Sequence, residues 1–329
     1  MKKPNGWHDM QARPRLAGTG RLAAAAAVAA VVAVSAAPAF ADGAPPLPER
    51  ARVKPTVVLV HGTNVDSSSW DGVAGRLRRD GYPVVVIANP LRGLSYDASY
   101  TKSVLRGIKG PIVLVGHSYG SAVVNEAALG NRSVEAVVAV AGFLPDKGES
   151  SAELVAKYPG STLARTVTTL PYPRMGGGTG MDVYVKQELY PQQFAADVPL
   201  RVSSVMALTQ RPVDSGALGQ KATGAAWRTV PAYDLITADD RNIPAAAQRW
   251  MARRAHAVSV EIRSSHVAPV SHPDAVTGLI ERAARGGTSA GSTLAATGGT
   301  RTWLLTGAAV GAVAFGGSLM AAARRRRRT

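Results

Sequence analysis

The sequence contains no cysteine, which removes disulfides, thiolate metal sites, iron–sulfur clusters and cysteine nucleophiles from consideration. Its six histidines form no His-Glu-x-x-His or comparable ligand pattern, so neither a metal nor a cofactor is expected. Charged residues are few, 18% of 329, against 46% hydrophobic. A chain of that length and composition can bury a sizeable core, and wholesale disorder or a small stapled scaffold is excluded. Acidic residues are also scarce, 22 against 38 basic, for a formal charge of +16. Such an excess suggests a nucleic-acid partner until its distribution is read. Residues 1–41 carry a net +4 and residues 298–329 a net +6, which leaves +6 spread over residues 42–297. No basic cluster interleaved with aromatics accompanies that remainder, and nucleic acid is not expected as a partner.

The two ends read as addresses. Lys2, Lys3, Arg13, Arg15 and Arg21 precede or open an uncharged run from Leu22 to Val34, followed by Ala39-Phe40-Ala41. Thirteen apolar residues are short of the about 20 that span a bilayer, and the small-x-small triplet suits a signal peptidase. Residues 1–41 are therefore expected to be a signal peptide cleaved after Ala41, with an uncleaved anchor as the alternative, and residues 42–51 a Pro-rich linker. At the other end, residues 286–293 form a Gly/Ser/Thr linker, and Trp303 to Ala323 is an uncharged stretch of membrane-spanning length followed by Arg324 to Arg328. The positive-inside tendency keeps those arginines cytoplasmic and everything upstream of Trp303 external. Between linker and span, Leu294-Ala295-Ala296-Thr297-Gly298 resembles the LAxTG variant of the sortase cell-wall sorting signal, which assigns residues 294–329 to that signal. The resemblance implies signal peptidase and sortase as processing partners, attachment to the wall through Thr297, and membrane contact only through the C-terminal span before processing. A retained membrane anchor gives the same topology.

Between these ends, residues 52–285 alternate short β-rich apolar runs with helical patterns, the signature of an α/β domain with a mostly parallel sheet covered on both faces. Strands are expected at Val57–Val60, Pro83–Ala88, Ile112–Val115, Val134–Val140, Tyr233–Thr237 and Val258–Ile262. Helices are expected at Trp70–Arg79, Tyr100–Ile108, Tyr119–Leu129, Pro244–Arg254 and Pro273–Ala284. The alternation breaks over residues 145–228. That stretch is too long for a bare connection and is read as an inserted cap with elements of its own. Tyr172, Met175, Met181, Tyr184, Phe194, Met206 and Trp227 are its candidates for lining a pocket or for filling the cap's own core.

The chemistry-bearing pattern is Gly116-His117-Ser118-Tyr119-Gly120, a G-x-S-x-G immediately after an apolar strand and before a helix. A serine on so sharp a turn needs small residues two positions either side, and the turn lifts Ser118 into a cleft. A serine hydroxyl becomes a nucleophile only when a base takes its proton. Of the histidines, His266 lies in a loop after the last expected strand, where such sheets place ligands, whereas His272 precedes Pro273 and looks like a helix-start residue. The orienting acid should end the preceding strand, where Asp239 and Asp240 both qualify. An oxyanion would be met by the amides of Tyr119, after the nucleophile, and Thr63, in the His61-Gly62-Thr63-Asn64 loop after the first strand.

With those residues placed, the domain resembles the α/β-hydrolase superfamily, and more closely the esterases related to plant salicylate methyl esterases and hydroxynitrile lyases. The likeness runs from Pro55 to about Ala284. Its marks are Val60-His61-Gly62, Ser69-Trp70, Asn89-Pro90, Val115 to Gly120, Phe143-Leu144-Pro145-Asp146, Asp240-Arg241-Asn242-Ile243-Pro244, Gln248-Arg249 and Ser265-His266. The resemblance implies Asp240 as the acid, because it directly precedes a basic residue. It also implies a small-molecule ester as substrate, hydrolysed through a Ser118–His266–Asp240 triad and an acyl-enzyme. Lyases of this group carry a lysine directly after the histidine and a threonine where this chain has Gly62. Val267 stands at the first of those positions, which favours hydrolysis; the alternative readings are a non-catalytic surface-binding module and another reaction of this superfamily, such as a lyase's or cofactor-free perhydrolysis.

Overall fold

The computed structural model describes residues 53–286. The signal segment, the Pro-rich linker, the sorting signal with Thr297, and all of the second linker but Gly286 lie outside those residues. In chain order the strands are β1 (Thr56–Val60), β2 (Val84–Ile87), β3 (Ile112–His117), β4 (Val134–Val140), β5 (Val167–Pro173), β6 (Thr179–Val185), β7 (Val213–Asp214), β8 (Ala232–Thr237) and β9 (Val258–Ile262). The helices are α1 (Asp71–Arg79), α2 (Leu94–Leu105), α3 (Tyr119–Ala127), α4 (Ser151–Ala156), α5 (Tyr190–Phe194), α6 (Leu200–Thr209), α7 (Ala245–Arg254), α8 (Ala268–Ser271) and α9 (Pro273–Ala284). Among the described residues no helix is long and apolar enough to cross a membrane.

Six strands form one parallel sheet in the order β2-β1-β3-β4-β8-β9. Every residue of β3 is buried, because helices cover both faces. Side chains alternate across the pleat. Val57, Leu59, Val113, Val115 and Val138 pack with α1 and α9, while Val58, Val60, Leu114 and Val137 pack with α2, α3 and α7. Full burial of each such side chain contributes about 1.5–3 kcal/mol. A register shift between Ile112 and Val113 sets Val134 and Ala136 against consecutive residues of β3. That bulge lets Glu135 leave the ladder while Val134 and Val137 stay on one face.

The expected strands are all present with ends moved by two residues at most, and the expected α/β architecture is the observed one. The helix expected at Tyr100–Ile108 is different: α2 begins six residues earlier, at Leu94. Its inward face carries Asp97 and Thr101 alongside Leu94, Ala98 and Leu105, so hydrophobicity alone hides the first turns. The buried Asp97 carboxylate accepts from the Arg92 amide (3.0 Å), the Gly93 amide (3.4 Å) and the Tyr119 hydroxyl (2.9 Å).

Between β4 and β8 the chain builds a second layer. β5, β6 and β7 form a small antiparallel sheet in that order. Pro171 and Pro173 lie in β5, an edge strand that tolerates their missing donors. A capping box of Ser150 and Glu153 starts α4. The insertion has its own apolar cluster, with Val185, Tyr190, Phe194 and Ala207 packed on Val65 and Val267. Those two valines belong to the loops that follow β1 and β9.

Candidate active site

Ser118 sits between the end of β3 and the first turn of α3 with φ 54° and ψ −125°. A non-glycine residue held there stores on the order of 1–3 kcal/mol of strain. What holds it is packing. A Cβ on Gly116 would collide with the Gly120 and Ser121 backbone, and one on Gly120 with the carbonyls of Val60 and His61. The elbow can be this sharp because two backbones touch where those glycines stand.

Ser118 Oγ is 2.8 Å from His266 Nε2, and His266 Nδ1 is 2.7 Å from Asp240 Oδ2. A carboxylate oxygen only accepts, so Nδ1 carries the proton and Nε2 accepts from the serine hydroxyl. Asp240 is held from all sides. Its Oδ1 accepts from the amides of Asn242 (2.7 Å) and Ile243 (3.0 Å), and its Oδ2 from Thr237 Oγ1 (3.0 Å) and Gln248 Nε2 (3.0 Å). The alternatives fall elsewhere. Asp239 faces Arg263 at 3.3 Å on the surface, and His272 faces Asp197 at 3.2 Å.

Two further histidines surround this chain of bonds without entering it. His117 donates from Nε2 to the His266 carbonyl (2.9 Å), and its Nδ1 has no partner among the described residues. Burial pushes its pKa well below the ordinary value, so a neutral ring lies 4.9 Å from His266. His61 accepts the Asn89 amide at Nε2 (3.0 Å) and donates from Nδ1 to the Gly62 carbonyl (2.9 Å). Burial lowers it to about 4. The His61 ring thereby shapes the Gly62-Thr63 loop as a neutral strut. That loop runs against the elbow: a Cβ on Gly62 would stand 2.6 Å from Ser118 Cβ and 2.8 Å from the His117 carbonyl oxygen.

Thr63, Ser118 and His266 open onto one cavity of about 240 Å³. Its remaining wall is mostly apolar, with Phe143, Val155, Leu163, Val183, Phe194 and Ile243, and no charged side chain among the described residues lines it. The Tyr119 amide, in the first turn of α3, has no intrahelical acceptor, and its side chain turns away to Asp97. Of the aromatic and methionine candidates in the insertion, Phe194 alone reaches this cavity. Met175 is wholly exposed, and Trp227 is buried against Pro145, whose carbonyl accepts its indole N–H at 2.9 Å.

Residues 57–279 match the Alpha/beta hydrolase family. The chain belongs to that family. It is 24% identical over 255 residues to the alpha/beta hydrolase nvfD of Aspergillus novofumigatus, an alignment covering 70% of this chain and 97% of that one. Among solved structures, polyneuridine aldehyde esterase is similar at 18% identity and a TM-score of 0.60, covering 69% of this chain and 98% of that one. A methylesterase from Arabidopsis gives 17%, 0.59, 70% and 99% in the same terms. An extracellular alpha/beta-hydrolase from a Paenibacillus species gives 18%, 0.55, 70% and 98%. At such identities the likeness is one of fold.

Within this α/β-hydrolase the supporting roles of two residues went unread in the sequence. Gln248, a mark of the resemblance to which no role was given, is one: it bonds Asp240, Thr237 Oγ1 (3.0 Å) and the Ile243 carbonyl (2.8 Å). Asp197 is another. From the insertion it accepts from the Ser265 amide (3.1 Å) and hydroxyl, and so fixes the residue before His266. Among the described residues no group of three or more His, Asp or Glu side chains is disposed to hold a metal ion.

Proposed function

We propose that this α/β-hydrolase is an exported carboxylesterase acting on a small, neutral, apolar ester. The observation that carries the reading is the continuous chain Ser118–His266–Asp240, with distances of 2.8 and 2.7 Å, at the floor of an uncharged cavity. Ser118 Oγ attacks the ester carbonyl while its proton passes to His266 Nε2, and Asp240 stabilises the resulting imidazolium. The tetrahedral oxyanion lies at the amides of Thr63 and Tyr119, near the positive end of α3. His266 then returns the proton to the departing alkoxide, leaving an acyl-enzyme. Water, deprotonated by the same imidazole, releases the carboxylic acid.

The cavity volume suits a group smaller than a drug-sized ligand, and the absence of a lining cation disfavours an anionic acyl group. Val267, buried where related lyases carry lysine, leaves nothing to hold a departing cyanide. The names of the similar structures, polyneuridine aldehyde esterase and a methylesterase, accord with ester hydrolysis. Turnover of short p-nitrophenyl esters and fluorophosphonate labelling should both vanish in Ser118→Ala. A wild-type-like rate in that variant ends the proposal, and an unlabelled, inactive wild type favours a binding module. The protein is further read as secreted through residues 1–41 and joined to the cell wall at Thr297. Release of intact protein by detergent alone, without wall hydrolase, would defeat that attachment.

A further inference from the structure

The loop carrying Thr63 is gripped by the insertion through its next residue, Asn64. Asn64 is buried, with φ 58°, a left-handed conformation that asparagine tolerates better than most residues. Its amide, its carbonyl and its side-chain nitrogen are each engaged by residues 183–211. Its amide donates to the Arg211 carbonyl (2.9 Å), and its carbonyl accepts from the Tyr190 hydroxyl (2.8 Å). Its side-chain Nδ2 donates to the Val183 carbonyl and to Gln210 Oε1, both at 3.1 Å. Gln210 is buried too and is itself fastened to β6, accepting from the Val185 amide and donating to the Val185 carbonyl, each at 2.8 Å. Val65, one residue on, packs into the insertion's apolar cluster. The core-side grip on the same loop is the His61–Asn89 pair, so the Thr63 amide is suspended between two fastenings, one from each layer.

We propose that Asn64 and Gln210 form a clasp through which the insertion positions the Thr63 amide, making Asn64 a positioning residue for the oxyanion. The layer over the site is then a fixed frame, since opening it would break four hydrogen bonds to a single buried residue. The inference rests on the esterase reading for its kinetic consequence and on the clasp geometry for its structural one.

Three variants separate these. Asn64→Gly keeps the left-handed backbone at no steric cost and removes only the side-chain bonds. Asn64→Asp keeps the shape but aims an acceptor at the Val183 carbonyl and Gln210 Oε1. Gln210→Met cuts the clasp from the insertion side. Losing an oxyanion donor outright costs about 10²–10³ in kcat, and a loosened one less, so Asn64→Gly and Gln210→Met should each lower kcat about tenfold with KM within about twofold. Asn64→Asp should fall further, and the Asn64→Gly, Gln210→Met pair should be no worse than either alone. Hydrogen exchange in the full-length protein should accelerate at residues 61–65 in all three variants, with β3 protection unchanged. Unchanged exchange at 61–65, or faster exchange with wild-type kcat, overturns the clasp. If the wild type turns over no ester, the esterase reading falls by itself and the exchange comparison still decides whether the clasp exists.

Discussion

Gly62→Ala is the substitution in which close approach and chemistry are most directly linked. The added methyl would lie 2.6 Å from Ser118 Cβ and 2.8 Å from the His117 carbonyl oxygen, whereas carbon–carbon contacts are optimal near 3.5–4.0 Å. About 1 Å of separation must therefore open between the loop after β1 and the elbow. Neither side yields easily. The elbow is backed by the Gly116–Gly120 contact, and the loop is held by His61, Asn89 and Asn64. Overpacking of this kind destabilises by about 1–3 kcal/mol, a fall of roughly 2–10 °C in Tm for a domain of this size. Displacement of the Thr63 amide by about 1 Å from the Ser118 Oγ should cost on the order of 10² in kcat. Steady-state hydrolysis of p-nitrophenyl acetate with parallel thermal melts checks both numbers. A variant with wild-type kcat and Tm would refute the claim that this contact sets the site's geometry.

The two neighbouring aspartates should separate cleanly. Asp240→Asn is expected to lower kcat on the order of 10⁴, as loss of the orienting carboxylate does in such triads, while Asp239→Asn, which loses only an exposed pair with Arg263, should stay within about twofold. Equal effects would remove the distinction. Asp234 in β8 is fully buried, neither carboxylate oxygen has a partner among the described residues, and burial raises its pKa well above the ordinary value. The folded state thus keeps a proton that the unfolded chain releases above about pH 4, so this group's contribution to stability declines as pH rises from there. Asp234→Val should raise stability at pH 7 by about 1–3 kcal/mol and flatten the dependence of Tm on pH, and a lower Tm at pH 7 would contradict this. His61 has the opposite sign. With its folded value at about 4 against about 6.5 unfolded, its protonation in the unfolded chain erodes stability as pH falls from 6.5 toward 4. The stability advantage of wild type over His61→Asn, by urea denaturation, should shrink across that window by up to roughly 3 kcal/mol. A constant difference would show that His61 is not buried neutral.

The sheet was legible in the linear chain because its strands are buried on both faces, and continuous Val/Ile/Leu runs bounded by turns have few other readings. The serine turn was legible for a local reason too: Gly116, Ser118 and Gly120 lie within five residues and meet constraints set by their own backbone. What failed was the start of α2, where Asp97 and Thr101 face inward because Tyr119 and the Arg92 and Gly93 amides satisfy Asp97 from outside the helix. The pocket wall stayed open in the sequence, since an aromatic in the insertion serves the cavity, the core or the surface according to the packing of two layers.

The order of Ser118, Asp240 and His266, the strand-to-helix turn and the small residues that permit it belong to the sequence, because each is a matter of position along the chain. Which aspartate meets His266, and which residues hold the loops on either side of Ser118, belong to the tertiary structure. Asp239 and Asp240 differ by one position in the chain but face solvent and imidazole respectively, and Asn64 meets Gln210 across 146 residues. Hydrogen bonds of that span depend on where β1, the insertion, β8 and β9 come to rest; the resemblance points to Asp240 through its basic neighbour, but nothing in the local pattern of Asn64 or Gln210 records their meeting.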